Sequence, residues 1–461
     1  MTQDQGKTWA EIEFGQAELG DQRLTKRLTL IAEIFANHPT RSIPQACGHW
    51  EITKATYRFF DNDKVKDQDI LAPHQEATQR RLQNHSTVLA IQDTTQLDFS
   101  HHPATQGLGI LSDPSHQGLF YHPTLLVTPE KVPLGIAQHQ VWKRSLKNFG
   151  KKHKRKNRPI SKKESQKWLH SLKSTAQLQE KNPHLHLVNI ADREADIFDF
   201  FLLAHHLKVD VLVRAAWNRR VDHTEKYLWN HMQKVPVSGY LTLTVPRKKG
   251  QPPRPARLSI RYDKVSLMPP KHRSQEKGLQ PTAVWVVWAH EQNPPKGVEA
   301  ISWMLITTLA VSSFEEALEK VQWYTCRWQI ELFFKILKSG CRIEARQLET
   351  ADRLKRCLAL DAVVAWRVLF LTMLSRNIPE MPCDVLLELE EWQALYCFIH
   401  KTKRPPSQPP TLKEATRMIA QLGGFLGRKS DAHPGPTTIW RGLQRLGDIA
   451  FAWSLGRSRS P

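Results

Sequence analysis

The sequence predicts an α/β protein: a mixed-sheet core interrupted by a β-rich insertion, with a helical region before it and another after it. Three observations carry this. Apolar residues recur at helical spacing over the first seventy or so positions. Short apolar runs, two of them ending in Asp, alternate with hairpin and helical segments from Thr87 onward. The stretch from about 215 to 302 is rich in Pro, aromatic and β-branched residues. With 461 residues and 40% hydrophobic content, the chain can bury a large core and divide into domains, expected at 1–75, 76–384 and 385–461.

In the N-terminal region Asp21 is placed to cap a helix on which Leu24, Leu28, Ile31 and Phe35 make one stripe. Arg23, Lys26 and Arg27 lie on the neighbouring face, and a second helical stretch, Trp50 to Phe60, carries Lys54 and Arg58. Such basic faces suit either plain solvation or contact with phosphates, and the pattern alone serves both.

From Thr87 the period changes. Val88 to Ile91 reads as a buried strand that ends at Gln92-Asp93, and Leu125 to Val127 with Val132 to Val141 as an antiparallel pair. Leu185 to Ile190 is a strand ending at Asp192, Ala195 to Leu207 a helix, and Val209 to Val213 a further strand. Within the insertion Val284 to Trp288 is the clearest strand, and Pro246 to Arg257 is expected as an exposed basic loop. Ser313 to Lys338 is expected as one long helix, capped by Ser313 with Glu315 and Glu316 in its first turn. Lys401 to Pro410 reads as a Pro-rich linker, and there is no internal repeat.

Charge narrows the partners. Lys and Arg number 66 against 45 Asp and Glu, a net charge of +21 that attracts polyanions, with nucleic acid foremost. Lys143 to Lys163 alone holds eleven Lys or Arg and no acid, a block suited to DNA phosphates or to simple solubility. No run of about 20 apolar residues and no hydrophobic N-terminal signal core are present, so the chain is expected to be soluble, cytoplasmic and free of membrane. Six dispersed cysteines without a C-x-x-C pair argue against a disulfide framework or a zinc site, and the histidines show no ligand spacing.

The chemistry concentrates in three acids. Asp93 and Asp192 each close a short apolar strand, where an open sheet presents groups to a ligand, although Asp-Thr-Thr also suits a turn and Asp192 also suits a helix cap. On the long helix Tyr324, Arg327, Glu331 and Lys338 fall within an arc of about 60°. That face is either functional or the ion-paired outer stripe of an amphipathic helix. Carboxylates suit Mg2+, with Mn2+ as a substitute, and two such ions can serve both the attacking and the leaving oxygen of a phosphodiester. Arg327 and Lys338 would then hold DNA phosphates beside Glu331, and Tyr324 would donate a hydrogen bond to a backbone oxygen.

The segments AIQDTT around Asp93, ADREAD from Ala191 to Asp196 and YTCRWQIELFFKILKSG from Tyr324 to Gly340 resemble the DDE transposases of the insertion-sequence-four group. Weaker likeness covers LGDQRLTKRL and YRFF near the N-terminus, NPPKG before Trp303, and AQLGGF from Ala420. The resemblance implies an RNase H-like core, an N-terminal region that binds transposon ends and a C-terminal region that dimerises. It implies catalytic and metal-binding roles for Asp93, Asp192 and Glu331, and cut-and-paste transfer by strand nicking, hairpin formation and strand joining. Double-stranded DNA, both inverted-repeat ends and target, is the implied partner of a homodimer in a synaptic complex. Arg193, Arg214, Lys335 and Lys338 are implied as contacts in the cleft, and Arg23, Arg27 and Arg58 as contacts with the end sequence. Trp303 is implied as the aromatic that supports a flipped base, unless it is simply buried in the strand WMLITT. The region after Lys401 departs most from the group's pattern. Two alternatives stand beside this: an RNase H-like nuclease that cuts without joining, and a non-catalytic DNA-binding regulator of transposition.

Overall fold

The computed structural model describes residues 6–145, 160–245, 252–273, 276, 279–428 and 431–457. The N-terminal helices are α1 (Trp9–Phe14), α2 (Gln22–Asn37), α3 (Ile43–Cys47), α4 (Trp50–Asp61) and α5 (Asp67–Leu82). Asp21 caps α2 through a bond to the Arg23 N–H, and Leu28, Ile31 and Phe35 are buried along the expected stripe. Strands β1 (Thr87–Gln92), β2 (Thr95–Asp98), β3 (Gly109–Ile110), β4 (Gln117–Val127) and β5 (Pro133–Trp142) follow. Then come α6 (Gln166–Lys181), β6 (His186–Ala191), α7 (Phe198–Leu207) and β7 (Asp210–Arg214). The insertion holds α8 (Leu228–Lys234), β8 (Gly239–Val245), β9 (Arg254–Leu267) and β10 (Thr282–Glu291), and leads into β11 (Ser302–Thr307). The chain ends in α9 (Phe314–Thr325), α10 (Trp328–Lys335), α11 (Ala351–Asn377), α12 (Leu389–His400), α13 (Leu412–Leu422) and α14 (Pro436–Arg457). Sheet and helices together make an α/β RNase H-like core with flanking helical regions.

The chain divides into two units, one of residues 1–84, 94–150 and 329–461, the other of residues 85–93 and 151–328. In the second, β1, β6 and β7 run parallel side by side, and β7, β11, β10, β9 and β8 continue antiparallel. Buried polar groups fix the register of the parallel strands. Gln92 Nε2 and Thr175 Oγ1 both donate to Asn189 Oδ1, at 2.9 and 2.7 Å, and Asn189 Nδ2 donates to the Asp210 carbonyl at 3.2 Å. A buried amide left unpaired by a one-residue slip would cost about 1–3 kcal/mol. One face of this sheet is covered by an apolar layer that includes Trp168, Leu172, Phe198, Phe200 and Phe201 of α6 and α7.

The first unit pairs β4 with β2, β3 and β5, all antiparallel, and is centred on α11, whose residues are almost all buried. Trp366 of α11 donates its indole N–H to the Pro133 carbonyl at 2.8 Å. Within it Arg346 and Asp361 form a fully buried two-point ion pair, both bonds at 3.0 Å. All six cysteines are free and buried.

Two sequence expectations are corrected. The helix expected over Ser313 to Lys338 is interrupted. Cys326 and Arg327 donate to carbonyls only three residues back, at 3.0 and 3.1 Å, and α10 then passes into a π-helical turn, Ile336–Gly340, which adds a residue and rotates Lys338 off a straight helix face. At Gly340 an added Cβ would stand 3.2 Å from the Trp440 ring, so the turn packs where only glycine fits without a shift. The expected loop from Pro246 to Arg257 is strand from Arg254 onward, residues 246–251 lying outside the described ones. Arg254 to Arg257 pair only with β8, because pairing with β10 begins at Leu258, so Pro255 sits where its missing N–H costs no ladder bond to β10. Helix α11 has the length and hydropathy of a membrane span but is 89% buried over its apolar window, as the core helix of its unit. Most of the basic block, residues 146–159, also lies outside the described residues.

Candidate active site

The register of the parallel strands places the site. Ile91 pairs with Ile190, and Ala191 with Val213, so Asp93, Asp192 and Arg214 stand side by side at the C-terminal ends of β1, β6 and β7. This is the edge at which open α/β sheets present ligand groups. Arg327, in the turn after α9, reaches across to Asp93 with Nη1 to Oδ2 at 3.0 Å, both side chains largely buried. Asp192 caps the short 3-10 turn that follows it, its Oδ1 accepting from the Glu194 N–H at 2.9 Å.

Electrostatics at Asp192 are set by burial. Removal from water pushes its pKa up, the Glu194 carboxylate adds to this, and the Glu194 N–H, Arg327 and Lys167 oppose it. A carboxylate held this way gains from a nearby cation. Burial likewise raises the Tyr324 phenol and lowers the Arg214 guanidinium, which hydrogen-bond each other. Arg193 and Arg327 both act on Arg214 by like-charge repulsion, so three guanidinium groups lie near one another, and Arg327 is the one that acts on both aspartates. Arg214 also donates to the Ser302 carbonyl at 2.9 Å, next to Trp303, whose ring meets Tyr324 edge-on at 5.7 Å between centroids. Trp303 is half-buried on β11, opposite Ala289.

Asp93, Asp192, Arg193, Arg214, Trp303, Tyr324 and Arg327 thus belong to one unit. Glu331, in the first turn of α10, belongs to the other, together with Lys335 and Lys338. Lys335 is exposed, and Lys338 donates to the Gln96 carbonyl at 2.5 Å and pairs with Glu344 at 3.2 Å. Among the described residues no three His, Cys, Asp or Glu side chains gather into a metal-sized cluster. The two adjacent aspartates offer the hard oxygen donors that suit a divalent ion of the Mg2+ type.

The N-terminal cations also find a common place. Arg23, Arg27 and Arg58, with Lys54, Asp21 and Glu51, line a cleft of about 560 Å³ between α2 and α4. Arg23 is held outward by Asp21 at 2.9 Å. Sequence reading missed Trp217, an indole left 67% exposed just past the end of β7. Its only signal is a Trp standing among small and basic residues directly after a strand.

Comparison with known families assigns this arrangement. Residues 6–65 match the Transposase DNA-binding model, 136–365 the Transposase DDE domain, and 363–460 the Transposase Tn5 dimerisation domain. The chain belongs to the DDE transposases. It is similar to the Tn5 transposase. This transposase is therefore a metal-dependent enzyme of phosphodiester hydrolysis and transesterification that binds DNA and forms homodimers. The C-terminal departure noted in the sequence does not remove the dimerisation match. Asp192 and Glu331 fall inside the matched DDE segment and Asp93 precedes it, while the cleft between α2 and α4 falls within the DNA-binding match.

Proposed function

We propose that this transposase moves DNA by cut and paste: water nicks a strand at each inverted-repeat end, the freed 3′-hydroxyl attacks the opposite strand to leave a hairpin, and water opens the hairpin to restore the 3′-hydroxyl that is then joined to target DNA. The supporting observation is the alignment of Asp93 and Asp192 at adjacent strand ends, with Arg327 paired to Asp93. Asp93, Asp192 and Glu331 are the catalytic acids and hold two Mg2+ ions, replaceable by Mn2+. When bound, such ions activate an attacking oxygen and stabilise a leaving one. Arg327 and Tyr324 position the scissile strand through its phosphate and Lys335 and Lys338 hold the flanking backbone, charge-assisted contacts that orient without reading sequence. Trp303 supports a base turned out near the hairpin, and Arg23, Arg27 and Arg58 grip the end sequence. Residues 1–75 serve end binding, 76–384 catalysis and 385–461 synapsis, with action in the cytoplasm on nucleoid DNA.

Purified full-length protein mixed with duplexes spanning the inverted repeats beside its coding region tests this. With Mg2+, nicks, hairpins and joined products are expected; chelator abolishes all three and leaves end binding intact. Asp93→Ala, Asp192→Ala and Glu331→Ala should each bind DNA yet fail to cut. Full cutting by all three variants would remove the assigned site, and cutting without hairpins or joining would select the simple nuclease.

A further inference from the structure

Beyond the paired acids, the same edge of the sheet carries an exposed aromatic on an unusually stiff mount. The 3-10 turn that Asp192 caps leads, four residues on, to Asp196, whose carboxylate is fully buried. Asp196 Oδ2 accepts from the backbone N–H groups of Ala216 and Trp217 at 2.8 and 3.1 Å, and Arg219 Nε donates to its Oδ1 at 2.5 Å. The Arg219 N–H closes a tight turn on the Trp217 carbonyl at 2.9 Å, Asn218 Oδ1 accepts from the Trp229 N–H at 2.8 Å, and Ala215 N–H bonds to the Met304 carbonyl at 2.7 Å. Each residue around Trp217 is thus tied down while Trp217 itself stays 67% exposed.

Exposed single aromatics are common and need no purpose by themselves. This one differs in its mount and its neighbours. The buried Asp196 fixes the Trp217 backbone, the strand register puts it just beyond Arg214 and level with the loop after Asp192, and Arg193 lies between the two aspartates in sequence. An exposed indole on a fixed backbone, three residues past Arg214 and tied through Asp196 to the loop that carries Arg193, matches what single-stranded nucleic acid needs: cations for the backbone and a flat surface for a base.

We infer that Trp217 is a stacking platform for a base of an unpaired DNA strand, set beside Asp192 by the Asp196 clamp. This rests on the reading of the site as DNA-processing, but its test needs no cleavage. Binding of the full-length protein to a fluorescent fifteen-residue thymidine strand and to an abasic strand of equal length is measured in chelator, about the size scale of such binding sites. Wild type should prefer the thymidine strand. In Trp217→Ala that preference should fall by roughly 5- to 150-fold, the affinity equivalent of losing one stacked base, while abasic binding stays within about twofold. Trp217→Phe should keep most of the preference. Because a stacking ring releases no counterions, the salt dependence should be unchanged in both variants, unlike Arg214→Ala, which should flatten it. An unchanged thymidine preference in Trp217→Ala, or equal loss on both strands, overturns the platform. A surviving platform with no cleavage by wild type would instead refute the proposed reaction, so the two failures are distinct. A melting temperature matching wild type confirms that the exposed substitution leaves the fold intact.

Discussion

Replacing Glu13 by Gln should destabilise the transposase by an amount that shrinks as the solution is acidified. Glu13 is buried at the end of α1, where His74 Nδ1 approaches its Oε2 at 2.5 Å and Arg81 grips it with Nη1 to Oε1 at 2.6 Å and Nη2 to Oε2 at 3.2 Å. The Ile136 N–H donates to His74 Nε2 at 3.0 Å, so a neutral His74 has its proton on Nδ1, facing Glu13. Burial works against the ionised carboxyl, but Arg81 and then His74 outweigh it and hold Glu13 at about 2, against an ordinary 4.5. A depressed carboxyl stabilises the fold fully above its unfolded value and loses that contribution as pH falls toward the folded one. At about 1.4 kcal/mol per unit, the drop corresponds to roughly 3 kcal/mol at neutral pH, and more than half of it is gone near pH 3. Urea unfolding followed by tryptophan fluorescence at pH 7, 4 and 3 measures the gap between wild type and Glu13→Gln. His74, whose own pKa burial lowers, tilts stability the same way, so the gap between the two proteins, not either curve alone, carries the result. A gap that is the same at every pH would show that Glu13 acts by shape and not by charge. Because α1 lies within the DNA-binding match, end binding by the variant should weaken at the temperature where its first unit loosens.

Two further outcomes follow from charges elsewhere. Asp361→Asn should cost about 3–5 kcal/mol in thermal melts because Arg346 is left charged and buried, whereas Arg346→Met combined with Asp361→Leu should recover most of it; equal losses in both would refute a buried-pair explanation. Arg27→Ala and Arg58→Ala should each lower the slope of log affinity against log salt by about 1 in end-binding titrations, and an unchanged slope would remove those side chains from the phosphate contacts.

The sequence exposed the site's acids more readily than their alignment. Val88 to Ile91 and Leu185 to Ile190 announce strands because apolar runs of that length, each ending in an acid, have few other readings, and Asp93 and Asp192 do close β1 and β6. That the two stand side by side depends on Gln92, Asn189 and Thr175, polar residues whose hydrogen bonds no hydrophobic period reveals. The interrupted helix was hidden for a similar reason: an i to i−3 turn at Cys326–Arg327 and a π turn after Lys335 leave the apolar pattern almost unchanged while moving the side chains. The start of β9 was masked by Pro255, which reads as loop unless one knows that only one neighbour pairs there. Arg23, Arg27 and Arg58 were legible singly as helix faces; only packing of α2 against α4 turns them into one cleft.

The Arg346–Asp361 pair bears on the life of the chain before it folds. A freshly made segment Ala351–Asn377 would pass for a stop-transfer sequence by length and hydropathy alone. Asp361 and Arg367, three residues on either side of its midpoint, each add about 2.5–3.5 kcal/mol against insertion at the centre of a bilayer. The carboxylate that anchors Arg346 thus also makes the interior of a bilayer a costlier place for this hydrophobic helix.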